Sequence, residues 1–475
     1  MNLVDNLNEG QKAAYEAVVR GEHVFITGPG GTGKSFLMNS LFDTLPRQTG
    51  RTVALTALTG CAALLLHPRA KTLHSWAGVG LARDCVAILV KNIKKSRRAA
   101  LRWLQTDILV IDEVSMMTPE FLEKLDEVGR KIRRNDFLPF GGLQLVFVGD
   151  FYQLPPISKN DDGSSCETKF AFESALWKKV NPKMYELTQI VRQKDPVFQE
   201  VLNEARKGEV SKKSLRILSK RMDLDYSKEE IKPTMLFTRR AEVDDINYSY
   251  LKKLTTDKKS YKAKTIFLPT ANNQGLTEHD PFLQKAISKM DYDAPYSPDL
   301  VVAIGAQVML IYNLEPEAGL VNGSRGVVVG YGSLKEEPTD ALEPKAPKRH
   351  GTLSDEESSK LNNKDLDNEL LVPIVKFKNG QQRPIGHTSW ELPDFPGISR
   401  AQIPLKLAYA VTIHKSQGST LDCALVDVGE NTFEYGQAYV ALSRVKDMES
   451  LYIHDLSATA FKAHTKVRAF YERPD

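Results

Sequence analysis

The stretch Gly28 to Ser35 reads GPGGTGKS and constrains the chain more than any other segment. It fits the spacing G-x-x-x-x-G-K-[ST]. The apolar run Val24-Phe25-Ile26 precedes it and reads as a buried strand. Phe36-Leu37-Met38-Asn39-Ser40-Leu41-Phe42 follows, with apolar residues at helical spacing. A loop of this spacing between a strand and a helix is a phosphate cradle. Gly28, Gly30, Gly31 and Gly33, with Thr32 among them, let the backbone curl until its N–H groups converge on phosphate oxygens. The helix start adds the positive end of a dipole. Lys34 is expected to reach the β- and γ-phosphates, and the Ser35 hydroxyl to ligate Mg²⁺. The plain alternative is a glycine-rich turn that binds nothing. Lys34-Ser35 and two correct flanks argue against it.

A chain of 475 residues has room for about two to four domains. Its 41% hydrophobic and 26% charged content are those of a soluble globular protein. The net charge of +4 is compatible with a polyanionic partner without requiring one. Cys61, Cys85, Cys166 and Cys423 lie far apart with no CxxC pair, so reduced thiols and no zinc site are expected. The N-terminal MNLVDNLNEGQ has no apolar core and is not expected to be a signal peptide. No apolar run approaches a membrane span. An intracellular, soluble protein follows as the expectation.

Two further apolar runs read as strands buried on both faces. Ile108-Leu109-Val110-Ile111 ends in Asp112-Glu113. After a phosphate loop, Asp112 is expected to hold Mg²⁺ and Glu113 to take a proton from the attacking water. Leu143 to Asp150 leads to Phe151-Tyr152 and on to Gln153, a polar residue just past a strand end, where open parallel sheets bind ligands. Gln153 could bond a γ-phosphate or position water. Between these runs, Thr118-Pro119 starts a helix with Phe121, Leu122, Leu125, Val128 and Ile132 on one face. It ends in Arg130, Lys131, Arg133 and Arg134, which suit a helix C-terminus and could touch a polyanion.

Other segments are open to two readings. Gln11, on a helix before the first strand, is surface or an adenine reader. Thr59-Gly60 after the strand Thr52–Thr56 is an ordinary turn or a phosphate contact. His74-Ser75 caps or packs, or faces a nucleic-acid strand. The basic stretch KNIKKSRRAALRW, Lys91 to Trp103, reads as a helix tipped with an aromatic: a solvated face or a backbone contact. Arg192 follows a short strand, and Asn247 follows the strand Thr234–Arg240. Residues 257–402 carry short strands broken by Asn322-Gly323 and Asn379-Gly380, and read as a small all-β barrel. Within them, 335–368 is charged and nearly free of aromatics, so disorder is expected there. A last α/β pattern runs through AVTIHKSQGST and YVALSRV, and residues 457–475 read as a capping helix.

Taken together, LNEGQ, GPGGTGKS, TALTGCAA, TLHSWAG, VIDEVSM, VGDFYQLPP, QIVRQ, AVTIHKSQGST and YVALSRV resemble the ordered motifs of Pif-type superfamily-one B DNA helicases, relatives of RecD. The match covers nearly the whole chain, and IHKSQG, YVALSR and the helix after Phe121 are its specific parts. The resemblance implies an α/β protein of two RecA-like P-loop domains with parallel sheets, a small wedge and an inserted SH3-like all-β domain. Expected boundaries are 1–180 for the first RecA-like domain with the wedge at 78–104, 181–256 with 403–475 for the second, and 257–402 for the insertion. It implies ATP and Mg²⁺ as cofactors, and single-stranded DNA and single–double-strand junctions as partners. Arg192 and Arg444 become arginine fingers, a role that suits a guanidinium fork facing spreading phosphoryl charge. Gln11 and Gly418 join the nucleotide site; Thr59, Gly60, His74, Ser75, Asn247, His414, Lys415 and Gln417 become DNA contacts. It implies 5′-to-3′ movement by a monomer, or by an oligomer on DNA. Relatives commonly read PTGKAA where this chain has Leu58-Thr59-Gly60-Cys61, so a lysine contact is missing. A remodelling ATPase of the AAA+ kind, a DNA clamp with a relic loop, and an RNA-directed helicase remain alternatives.

Overall fold

The computed structural model describes residues 3–67, 69–80, 82–156, 167–229, 231–238, 240–268, 276–315, 318–333, 371–392, 395, 397–430 and 432–472. The stretch expected to be disordered, 335–368, lies outside the described residues. The chain divides into two compact units, 1–224 with 412–475, and 225–411.

The first unit is built on a six-stranded sheet: β1 (Val24–Thr27), β2 (Val53–Ala57), β3 (Lys71–Thr72), β4 (Ile108–Asp112), β5 (Gln144–Val148) and β6 (Lys183–Glu186), in the order β3-β2-β4-β5-β1-β6. Every neighbouring pair is parallel. Successive side chains alternate between faces. Phe25, Leu109, Ile111, Leu145 and Phe147 face one core, with Trp103, Leu122, Leu125 and Trp177. Val24, Ile26, Ile108, Val110, Val146 and Val148 face the other, with Leu37 and Leu41. A sheet covered on both sides explains why β1, β4 and β5 are apolar throughout.

β6 differs from the expected boundary at 180. It pairs with β1 and completes the first sheet. Its sequence KMYE lies at the sheet edge, half-covered, so hydropathy does not announce it. The basic stretch also differs: it is two helices, Val86–Lys95 and Arg97–Gln105, broken at Ser96, whose side chain caps the second. Trp103 is not presented to solvent. It is buried, donates to Ala77 O at 2.9 Å and packs on Trp76. The helix Pro119–Arg133 forms as expected, with Thr118 as N-cap. Of its basic last turn, Arg130 is paired with Asp126 at 2.7 Å. Arg133 donates to carbonyls of Gly141, Trp103 and Thr106. The unit also contains a parallel pair, Ala424–Val428 with Leu451–Leu456. The terminal helix Thr465–Tyr471 packs Phe470 against Phe25, Phe151 and Phe172, at ring separations of 5.9, 5.4 and 4.4 Å.

The second unit holds a five-stranded antiparallel sheet in the order Gln382–Pro384, Val372–Phe377, Arg325–Gly332, Gln307–Leu310, Leu405–Leu407. Thr388–Glu391, Ile398–Gln402 and Lys264–Phe267 make a second antiparallel sheet. The stretch expected to be all-β is not wholly so. A helix, Pro281–Asp293, capped by Asp280, interrupts it and buries Leu283 and Ile287, one turn apart.

Candidate functional site

The C-terminal ends of β1, β4 and β5 place the phosphate loop, Asp112-Glu113 and Gln153 along one sheet edge. Gly28, Gly31 and Gly33 take φ values of 138°, 88° and 81°, conformations open to glycine. The loop is close-packed: a Cβ on Gly31 would lie 2.6 Å from Arg192 Cβ and 2.8 Å from Gln193 Oε1. Lys34 opens the helix Lys34–Thr49, and its Nζ donates to Gly28 O at 2.7 Å and Pro29 O at 2.9 Å. Burial pulls its proton affinity down, opposed by Asp150, Glu113 and Asp112. Ser35 stands exposed in the same first turn.

Asp112 ends β4 and is nearly buried. Burial, and then Glu113, push its carboxyl up to about 8. Glu113 is raised by burial as well, with Lys34 and Arg444 opposing. Its backbone is left-handed, φ 58° and ψ 40°. Asp150 does not join these carboxylates. It is fully buried and held twice by Arg206, Nε to Oδ2 at 2.9 Å and Nη2 to Oδ1 at 3.0 Å.

Arg192 and Arg444 both border the loop. Val191 N and Arg192 N donate to Gly31 O at 2.8 and 3.2 Å. The place a Gly30 Cβ would occupy is 3.8 Å from Arg444 Nη2. Arg444 is buried and, among the described residues, bonds carbonyls and a hydroxyl: Val440 O at 2.8 Å, Ser416 O at 3.1 Å, Ser419 O at 3.3 Å and Ser443 Oγ at 2.8 Å. Arg192 Nη1 reaches Ser443 O at 3.4 Å. Among the described residues neither arginine forms an ion pair. Burial, then Arg192, pushes Arg444 down to about 9, and burial lowers Arg192 too. Two neighbouring guanidiniums held in place with no ion-paired carboxylate among the described residues suit a polyanion. The donor set therefore fits a nucleotide triphosphate. One nearby carboxylate and an exposed hydroxyl fit a magnesium ion that keeps waters and phosphate oxygens as its other ligands.

Several expected residues are placed otherwise. Gln11 completes a capping box with Asn8, and its Nε2 donates to Thr32 O at 3.2 Å and Gly33 O at 3.4 Å. It braces the loop backbone, and both ends of its amide are engaged within the chain. Asn247 brackets Ala410, donating to its carbonyl at 2.9 Å and accepting from its N–H at 3.1 Å. That is a backbone clamp, with the amide spent internally. Gln417 donates to Glu113 Oε2 at 2.8 Å and Gln153 Oε1 at 3.2 Å, which puts it among the catalytic candidates. Gly418 follows it with φ 79°.

Thr59 caps the helix Gly60–Leu66 by accepting from Ala62 N at 3.1 Å. His74 stacks on Phe121 at 4.4 Å, and Ser75 N donates to Thr72 Oγ1 at 3.2 Å. These four positions lie past the ends of β2 and β3, on the sheet edge that carries the phosphate loop. His414 is half-buried on the short helix Ile413–Ser416, its proton affinity lowered by burial. The Lys415 side chain lies outside the described residues.

Sequence reasoning missed three site neighbours. Tyr439 Oη accepts from Gly30 N at 2.7 Å. Gln193 Nε2 donates to Val445 O at 3.0 Å. Arg206 lies on the buried stripe of the helix Pro196–Lys207, with Leu202 one turn and Phe198 two turns before it. A cation in an apolar stripe requires a buried partner, and that was a readable signal.

The model of the PIF1-like helicase family matches residues 6–216, and that of the DNA helicase Pif1 2B domain matches 289–331. An ATP-dependent DNA helicase PIF1 of Emericella nidulans is 38% identical over 487 residues, covering 97% of this chain and 62% of its own length. The chain thus spans less than two thirds of that relative. The crystal structure of a Pif1 helicase from Candida albicans is 34% identical with a TM-score of 0.72, covering 98% of this chain and 99% of that one. A Bacteroides Pif1 crystallised with ADP-AlF3 and single-stranded DNA is 26% identical with a TM-score of 0.61, covering 98% and 96%. With these motifs in this order on this fold, the chain belongs to the PIF1-like helicase family.

Proposed function

We propose that the chain is an ATP-dependent DNA helicase that moves 5′-to-3′ on single-stranded DNA and unwinds duplex ahead of it. The observation that carries this reading is the pair beside the phosphate loop, half-buried Arg192 and buried Arg444, neither ion-paired among the described residues, with Glu113 close by. A simple nucleotide-binding switch has no need of two arginines from separate segments of its own chain. Family membership and the names of the relatives support the choice of DNA and ATP.

Lys34 and the loop N–H groups hold the triphosphate. Ser35 and Asp112 would hold Mg²⁺, which supplies charge neutralisation across the phosphate oxygens. Glu113 accepts the proton of the attacking water, and Gln153 orients that water. Arg192 and Arg444 stabilise charge spreading over the γ-phosphoryl oxygens, a contribution of about 10³–10⁵ in rate where it is known. Thr59, Gly60, His74, Ser75, His414 and Lys415 make up the strand-contacting set, mostly to the backbone and so tolerant of sequence and sensitive to salt. A difference in grip between nucleotide states turns hydrolysis into stepping; equal grip moves nothing.

The test is hydrolysis with and without single-stranded DNA, followed by unwinding of duplexes with a 5′ or a 3′ tail. DNA-stimulated hydrolysis and unwinding from the 5′ tail are expected. Unwinding from the 3′ tail alone would refute the direction, and stimulation by RNA alone the substrate.

A further inference from the structure

Gln417 is 6% exposed, and one amide group serves two acceptors: Glu113 Oε2, past the end of β4, and Gln153 Oε1, past the end of β5. A glutamate side chain has several torsions and a broad terminal one, so its carboxylate is not aimed by its own backbone. Something outside must choose the rotamer. Gln417 occupies Oε2, and among the described residues Oε1 carries no hydrogen bond.

The loop around Gln417 is itself held. Arg444 Nη1 donates to Ser416 O and Ser419 O, on either side of Gln417. Ser419 Oγ closes the turn onto Ser416 O at 2.7 Å, and Ser416 Oγ bonds Ile413 O at 2.8 Å. The guanidinium that borders the phosphate loop is thus the one that fixes the segment carrying the amide.

We propose that Gln417 is a positioning residue for hydrolysis: it holds the Glu113 carboxylate with Oε1 free for the water proton, and ties that orientation to Arg444 through the loop 416–419. This rests on the ATPase reading above and adds a link to it. An Arg444 side chain that turns from the carbonyls of Ser416 and Ser419 toward phosphate changes the hold on Gln417, and with it the base. One arginine thereby governs both the charge on the phosphoryl group and the aim of the carboxylate. Gln417 acts through Glu113, and strand binding does not depend on it.

The experiment uses the full chain with Gln417→Met, which keeps length and removes the donor, and Gln417→Ala as a second variant. Thermal unfolding checks that each folds. Three quantities are measured: kcat at saturating ATP and oligodeoxythymidine, Kd for a fluorescent ATP analogue, and Kd for a labelled oligodeoxythymidine by anisotropy. A fall in kcat of about 10²-fold is expected, the scale set by misplacement of a catalytic group. Both Kd values should stay within about 2-fold. In a Glu113→Gln background, Gln417→Met should slow the residual rate no further, because residues acting as a unit are not additive. A raised DNA Kd with unchanged kcat would make Gln417 a strand contact and overturn the proposal. Full additivity with Glu113→Gln would overturn it as well. A wild-type chain without hydrolysis would overturn both this link and the function it rests on; failure of the variants alone would overturn only the link.

Discussion

Asp150→Ala tests how the end of β5 is held. Asp150 is fully buried and accepts two hydrogen bonds from Arg206, at 2.9 and 3.0 Å. A third donor of Arg206 reaches Glu186 at 3.2 Å, whose side chain is 41% exposed. The guanidinium also lies 4.8 Å over the Tyr152 ring and 5.5 Å over that of Tyr471. Burial lowers its proton affinity, and Asp150 more than reverses this. Removing Asp150 leaves a buried charge facing one half-solvated carboxylate and two ring faces. Stranding such a charge costs about 3–5 kcal/mol, and the remaining partners put the loss near the lower end, at ~3 kcal/mol. Asp150→Leu combined with Arg206→Met removes both charges and keeps apolar volume, and should recover most of that loss. Trp76, Trp103 and Trp177 lie in the first unit and Trp390 in the second, so urea unfolding followed by fluorescence in a Trp390→Phe background reports the first unit alone. A single Asp150→Ala variant as stable as the double variant would refute the reasoning, because the pair would then not be compensating buried charge.

Glu113→Gln should keep nucleotide and strand binding while phosphate release slows by about 10²–10⁴-fold; normal turnover would remove Glu113 as the base. Gly31→Ala puts a Cβ 2.6 Å from Arg192 Cβ at a φ of 88°. It should cost about 1–2 kcal/mol in backbone strain and weaken nucleotide binding by calorimetry, and unchanged affinity would contradict the close packing of Arg192. Tyr471→Phe removes the bond to Thr27 Oγ1 at 2.6 Å and leaves the Phe151 N–H without its acceptor. A loss of about 1–2 kcal/mol and faster hydrogen exchange at Phe151 are expected, and unchanged exchange would dismiss this contact.

What the sequence made legible follows from burial geometry. β1, β4 and β5 are covered on both faces, so each is a continuous apolar run that ends where polar residues begin, and Lys34, Asp112, Glu113 and Gln153 all stand at those ends. β6 was hidden because an edge strand need not be apolar. Trp103 is masked by the charge of its neighbourhood, although Ala99 and Trp103, one turn apart, mark an inward stripe. The helix Pro281–Asp293 hides among turn signals, although Asp280 and Pro281 mark its start. For Gln417 the resemblance points to DNA, and its bond to Glu113 is not legible. A glutamine amide suits phosphate, base or carboxylate equally, and only the approach of the segment 413–419 to the ends of β4 and β5 decides among them.

The docking of Phe470 and Tyr471 on the first sheet has a consequence for synthesis. The core around Phe25, Phe151 and Trp177 takes its last side chains from residues 467–471, while its sheet is complete in sequence by Glu186. A ribosome adding about 5–20 residues per second needs on the order of 14–60 s to cross that interval. Throughout it, the emerging sheet displays the aromatic surface that the terminal helix will cover. The chain is therefore most exposed to misassembly during its own translation. Ribosomes stalled between residues 190 and 465 would show this as protease cleavage that is absent from the released 475-residue chain.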